Sequence, residues 1–287
     1  MILTLDGAYM DASAIPYISS PILISENSTG NVNIILKGEN GLKAGDYCAA
    51  IQKDGDAENI GTLTISGSGA LIAQGGKQGA GIGGGHEKAG NNIVISGGEV
   101  TATGGYGGAG IGDGYYGVGS NIAITGGIIT ATGGDFGAGI GGGEGRTGSD
   151  ITVSGGTITT TGGKEATDIG GGSGGSTGMV TITGGSVKTK NGALTGVTNG
   201  TDNVYYTVVD LTEEFGIEAV VTEVGETAYG MKDVMTDADG KIYMYLPADE
   251  NGTTIVFGKH FYSGTVSAEA GADNRLTRGT ECKYSLL

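Results

Sequence analysis

The side chains best suited to chemistry in this chain are four aromatics and four ionisable groups at related intervals: Tyr106, Tyr115, Tyr116 and Phe136, with Asp113, Asp135, Glu144 and Arg146. Subtracting 29 aligns His86, Tyr115, Glu144 and Ser173 in one column, with Glu87 beside Tyr116 in the next. A second column holds Lys77, Tyr106, Asp135 and Lys164, with Phe136 alongside. Ring faces beside carboxylates can stack on sugar rings and accept hydrogen bonds from hydroxyls. These eight residues are the candidate ligand-binding set, although corner tyrosines can also serve simply to cover glycine-rich turns. Hydrolysis of a glycosidic bond would need two placed carboxyl groups, and β-elimination would need a base. The acids Asp113, Asp135, Glu144, Asp150 and Asp168 are scattered over corners instead, so no catalytic residue is assigned.

Those columns exist only if the chain winds once every 29 residues, and its apolar residues say that it does. Ile82, Ile111, Ile140 and Ile169 are 29 apart. So are Ile93, Ile122, Ile151 and Val180, then Ile95, Ile124, Val153 and Ile182, then Val100, Ile129, Ile158 and Val187. A fixed period of this length marks a solenoid, because one unit cannot bury its own apolar face and must stack on its neighbours. Within a unit, residues 92–96, 99–103 and 108–112 read as three short strands with period-2 alternation, placing Ile93, Ile95, Val100 and Ala102 inward. Gly-Gly pairs between them supply the sharp corners.

The fold expected is therefore all-β, a parallel β-helix of about seven coils with three strands per coil. Leu3/Leu5, Val32/Ile34 and Leu63/Ile65 extend the pattern upstream at intervals of 29, 31 and 30. The β-helix is assigned to residues 1–200. Val209 and Leu211 keep the spacing, but the glycine corners have gone by then, and the match is read as accidental.

From residue 201 to 287 glycine thins out while tyrosine, valine and acids rise, and a small β-sandwich is expected. Val204–Val209, Gly216–Thr222, Lys241–Leu246 and Thr253–Phe257 read as its strands. Asp237 to Gly240 superficially suggests a calcium loop, but the remaining oxygen ligands and the terminal Glu are missing. A turn is the reading adopted.

With 63 glycines in 287 residues the chain looks like low complexity, yet its glycines are positional. A net charge of −16, with only 15 Lys and Arg, argues against nucleic acid and anionic membrane surfaces. No run approaches the ~18 apolar residues of a membrane-spanning helix. Met1 to Asp6 has no basic start and enters a strand at once, so any export signal or wall anchor would belong to a longer precursor. Cys48 and Cys282 are expected as free thiols.

The segments ILTLDG (2–7), VNIILKGEN (32–40), AAI (49–51), GTLTISG (61–67) and GAGIGGG (79–85) resemble the carbohydrate-binding parallel β-helix proteins of anaerobic bacterial surfaces. Tyr229 to Tyr262, with its Asp237 to Lys241 turn and Tyr245-Leu246-Pro247, is similar to the prealbumin-like stalk modules of bacterial adhesins. The resemblance implies right-handed winding, extracellular display on a bacterial cell surface or wall, and, in some members, binding of acidic plant-wall polysaccharide with calcium. The expectation is thus a non-catalytic surface protein that binds polysaccharide or host glycan. No cofactor is required, and calcium is left open. The same scaffold serves pectin lyase-like enzymes, which is the alternative. A structural stalk is a further one, as is an ice-binding face built from Thr101/Thr103, Thr130/Thr132 and Thr159/Thr161.

Overall fold

The computed structural model describes residues 1–15, 19–25, 28–55, 61–211, 221–224, 229–257 and 260–278. Among them every regular element is a strand. The first long face of the solenoid pairs Ile2–Asp6, Val32–Lys37, Leu63–Gly67, Ile93–Thr103, Ser120–Thr132, Ser149–Thr161 and Val180–Thr189 in order, all parallel, and Val197–Thr198 closes the series. A second face stacks Ile22–Ile24, Ile51–Lys53, Ile82–Gly83, Ile111–Gly112, Ile140–Gly141 and Ile169–Gly170. Seven rungs on one face and six on the other make about six complete turns, slightly fewer than the seven coils expected.

The apolar columns superimpose as the period requires. Ile82, Ile111, Ile140 and Ile169 pair in sequence and are fully buried. Ile93, Ile122, Ile151 and Val180 do the same, as do the columns that begin at Ile95 and Val100. Burying each such side chain contributes about 1.5–3 kcal/mol, so the ladder dominates the stability of the coil.

Three separate strands per coil become two in the central coils. Ile93–Thr103 and its successors run through the first corner as single strands, with a shift of register at the Gly-Gly pair. The second glycine of each pair takes a positive φ: +88° at Gly98, +97° at Gly127, +94° at Gly156 and +86° at Gly185. That bends the strand without ending it. The third leg is only two residues long and ends on Gly83, Gly112, Gly141 or Gly170, each with φ of +126° to +135°. A Cβ on Gly112 would lie 2.1 Å from the Gly141 carbonyl of the next coil, so that step tolerates no side chain.

Beyond residue 200 the strands Val204–Asp210, Val221–Val224, Lys241–Pro247, Asp249–Phe257, His260–Val266 and Arg275–Arg278 form one six-stranded mixed sheet. Ile242, Met244 and Leu246 from one edge share a core with Ile255, Tyr262 and Leu276, so the sheet closes over itself like a sandwich. Val209 and Leu211 belong to this second core, which makes their 29-residue spacing accidental. Gly216–Val220 and Cys282 lie outside the described residues; Cys48 is buried and free.

The module does not hang from the solenoid as a detached spacer. Tyr245 and Val204 are buried in the solenoid's own core, and the Tyr245 hydroxyl accepts a hydrogen bond from Leu194 N at 3.2 Å. A strap, residues 229–237, then runs across the Gly-Gly bends. Gly185 N donates to Gly230 O at 2.6 Å, Gly156 N to Lys232 O at 2.6 Å and Gly127 N to the Asp233 carboxylate at 2.9 Å. Lys232 Nζ donates to Ser96 O one coil further on. Asp237 starts a tight turn, as expected, with Gly240 N and Lys241 N both donating to it. Its carboxylate also accepts from Lys188 Nζ at 2.7 Å and from the Tyr243 hydroxyl.

Candidate functional site

Each coil leaves its second leg through one loop and its third leg through another. Because the third leg is so short, the two loops lie side by side and lock together by one amide per coil. His86 N donates to Tyr47 O at 2.7 Å, Tyr115 N to Gln78 O at 2.9 Å, Glu144 N to Gly107 O at 2.8 Å and Ser173 N to Phe136 O at 2.8 Å. The loops thus satisfy much of their own backbone, and their side chains are free to project.

What projects is a ladder of rings. Tyr47 meets His86 edge-on with centroids 5.4 Å apart, and His86 stacks on Tyr115 at 5.6 Å with planes 8° apart. Tyr115 and Tyr116 are in edge contact at 4.2 Å, and Tyr106 meets Phe136 at 5.0 Å. The three spacings from 5.0 to 5.6 Å lie in the range where aromatic pairs attract, and the Tyr115–Tyr116 pair is closer still. Tyr47, Tyr106 and Tyr116 remain 43%, 44% and 41% exposed, so the ladder offers faces as well as contacts. Arg146 lays its guanidinium 5.7 Å from the centroid of Tyr116 and donates Nε–H to Tyr116 O at 3.2 Å. Glu144 is half-buried, and its Oε2 is turned in beside Gly107, out of contact with solvent and with no hydrogen-bond partner among the described residues. The hydrogen bond with Tyr116, together with burial, pushes the Tyr115 phenol up to about 12, so it stays protonated at neutral pH.

Backbone strain points to the same place. Glu87 and Tyr116 sit at φ +59° and +57°, where the equivalent residues of the next coils are Gly145 and Gly174 at +76°. A tyrosine in the left-handed region costs roughly 1–2 kcal/mol, a cost that the later coils avoid.

Seven of the eight candidate residues share this ridge. Asp113 does not. It is fully buried, and its two oxygens accept from Gly90 N at 2.8 Å and Gly119 N at 3.2 Å. Burial pushes its carboxyl up to about 7, against the opposing pull of those amides and of Arg146. Its role is to brace two loops from inside, because its two oxygens give buried amide donors the acceptors they need. Asp168 is spent similarly, accepting from Gly162 N at 2.6 Å and Asn191 N at 2.7 Å. Tyr47 and His86 complete the ladder and were not among the candidates. His86 already stood in the 29-residue column of Tyr115, whereas Tyr47 lies in a coil of irregular length and escapes subtraction. Among the described residues no three His, Cys, Asp or Glu side chains converge as a metal site. Likewise no helix is long and apolar enough to cross a membrane.

A family model described as a beta helix repeat matches residues 63–86, 93–115 and 122–144, the coils that carry most of this ridge. Repeats of this kind fit a broad family that includes adhesins and pectin lyase-like enzymes. No curated protein and no solved structure matches the chain.

Proposed function

We propose that this parallel β-helix protein is a non-catalytic glycan-binding or adhesion protein displayed on a bacterial cell surface, with the aromatic ridge as its binding face. The observation that carries this reading is the outward ladder Tyr47, His86, Tyr115 and Tyr116, held on a rigid solenoid with Tyr47 and Tyr116 exposed. Rings of fixed spacing provide stacking area at little entropic cost. The absence of a catalytic role belongs to the same proposal. Asp113 and Asp168, two of the five acids available for a reacting pair, are bound to backbone amides.

Incubation with a panel of wall and host polysaccharides, polygalacturonate included, separates binder from enzyme. Retention without release of reducing or unsaturated ends is the expected result. Product release would make the protein an enzyme, and a chain that neither retains nor cleaves any glycan would be a structural element.

A further inference from the structure

The chemistry of the ridge also selects among glycans, on the premise that the ridge is the binding face. The chain as a whole has a net charge of −16, but the ridge is close to neutral. Its stacked columns carry Lys77, Lys88, Lys164 and Arg146 together with Asp46, Glu87, Asp135, Glu144 and Glu165. The Arg146 guanidinium lies over Tyr116 and gives its Nε–H to the Tyr116 carbonyl, and it is the single arginine on the ridge. A polyuronate would bring a carboxylate on every sugar to this acidic protein, with no concentrated positive patch to receive it and no three-residue cation cluster among the described residues to bridge it. An uncharged sugar chain meets no such penalty. Its faces can lie on the exposed rings of Tyr47, Tyr106 and Tyr116.

We infer that the ligand is a neutral polysaccharide, bound without calcium, with its chain running along the solenoid axis. The rings come from four successive coils, Tyr47 from the first and Phe136 from the last, and coils about 4.8 Å apart give a track of about 14 Å. A track of that length takes several sugar rings in a row, so affinity rises with oligosaccharide length until it is filled.

The test uses the full chain on affinity gels that contain a neutral β-glucan, a galactomannan or polygalacturonate. Each gel is run with and without chelator, at about 50 mM and about 500 mM salt, a range over which charge interactions are progressively screened. A neutral polymer should retard the chain, with less than about a twofold change on adding chelator or salt. Tyr115→Ala combined with Tyr116→Ala should weaken retardation about tenfold or more, and a circular-dichroism melt confirms that the variant is folded. Retardation by polygalacturonate alone, or retardation abolished by chelator, would overturn the inference and leave glycan binding intact. Retardation by no polymer would overturn the glycan reading itself.

Discussion

The Gly-Gly bend and the paired loops are two corners of the same coils, and they solve the backbone problem in opposite ways. At the bend the ladder shifts register, and the amides of Gly127, Gly156 and Gly185 turn outward to acceptors on the strap 229–237. At the loops the amides of His86, Tyr115, Glu144 and Ser173 find carbonyls on the neighbouring loop of the solenoid itself. A corner that needs outside acceptors is committed to a partner within the chain. A corner that closes its own hydrogen bonds can spend its side chains on something else. The bend is therefore the stabilising side and the ridge the recognising side, and mutations on the two should separate stability from binding.

The largest effect expected on the stabilising side comes from Tyr245→Ala, which empties a buried ring position where the module enters the solenoid core. A loss of about 3–5 kcal/mol in a urea melt is expected. A loss below about 1 kcal/mol would mean that the module is a spacer after all. Next comes Gly156→Val, where φ is +94° and a Cβ would lie 2.9 Å from Gly127 O, beside the strap. About 3 kcal/mol or more should go, while the folded fraction keeps its glycan retention. Lost retention at full stability would reverse the assignment of the two corners.

Asp113 and Asp237 give opposite pH signatures. The Asp113 carboxyl titrates at about 7 in the fold against an ordinary value of 3.8, so between these values the folded state holds a proton that the unfolded state has lost. Its contribution thus favours folding at low pH and is lost as pH rises from about 4 to 7. Melting temperatures across that range should fall more steeply for the parent chain than for Asp113→Asn. At Asp237 burial is outweighed by hydrogen bonds from Lys188, Tyr243 and two amides, which hold the carboxyl at about 2. Its contribution is present above about pH 4 and is lost as pH falls toward 2. Asp237→Asn should cost about 1 kcal/mol at neutral pH, because the Lys188 partner is partly exposed. The smallest stability change belongs to the ridge: Tyr115→Ala with Tyr116→Ala should shift stability by less than about 0.5 kcal/mol while abolishing most retention.

Much of this contrast is written in the spacing of residues. Columns such as Ile82, Ile111, Ile140 and Ile169 are legible because each coil repeats the same inward positions, and the ring columns follow from the same subtraction. Asp113 misled because a carboxylate at a corner looks exposed in a one-dimensional reading. Its direction depends on loop amides at Gly90 and Gly119, and only the folded loops point these inward. Tyr47 was hidden by the irregular length of its coil.

A strict period, inward alternation and glycine at each turn are enough to specify a stacked solenoid and its lateral columns, because every coil makes the same nearest-neighbour contacts. The strap and the buried Tyr245 obey no such rule. Lys232 reaches Ser96 across 136 residues of chain, a pairing that no repeat encodes. It arises because bent strands leave backbone groups without ladder partners, a carbonyl at Ser96 and amides at Gly127, Gly156 and Gly185, and the segment folded against them supplies the bonds.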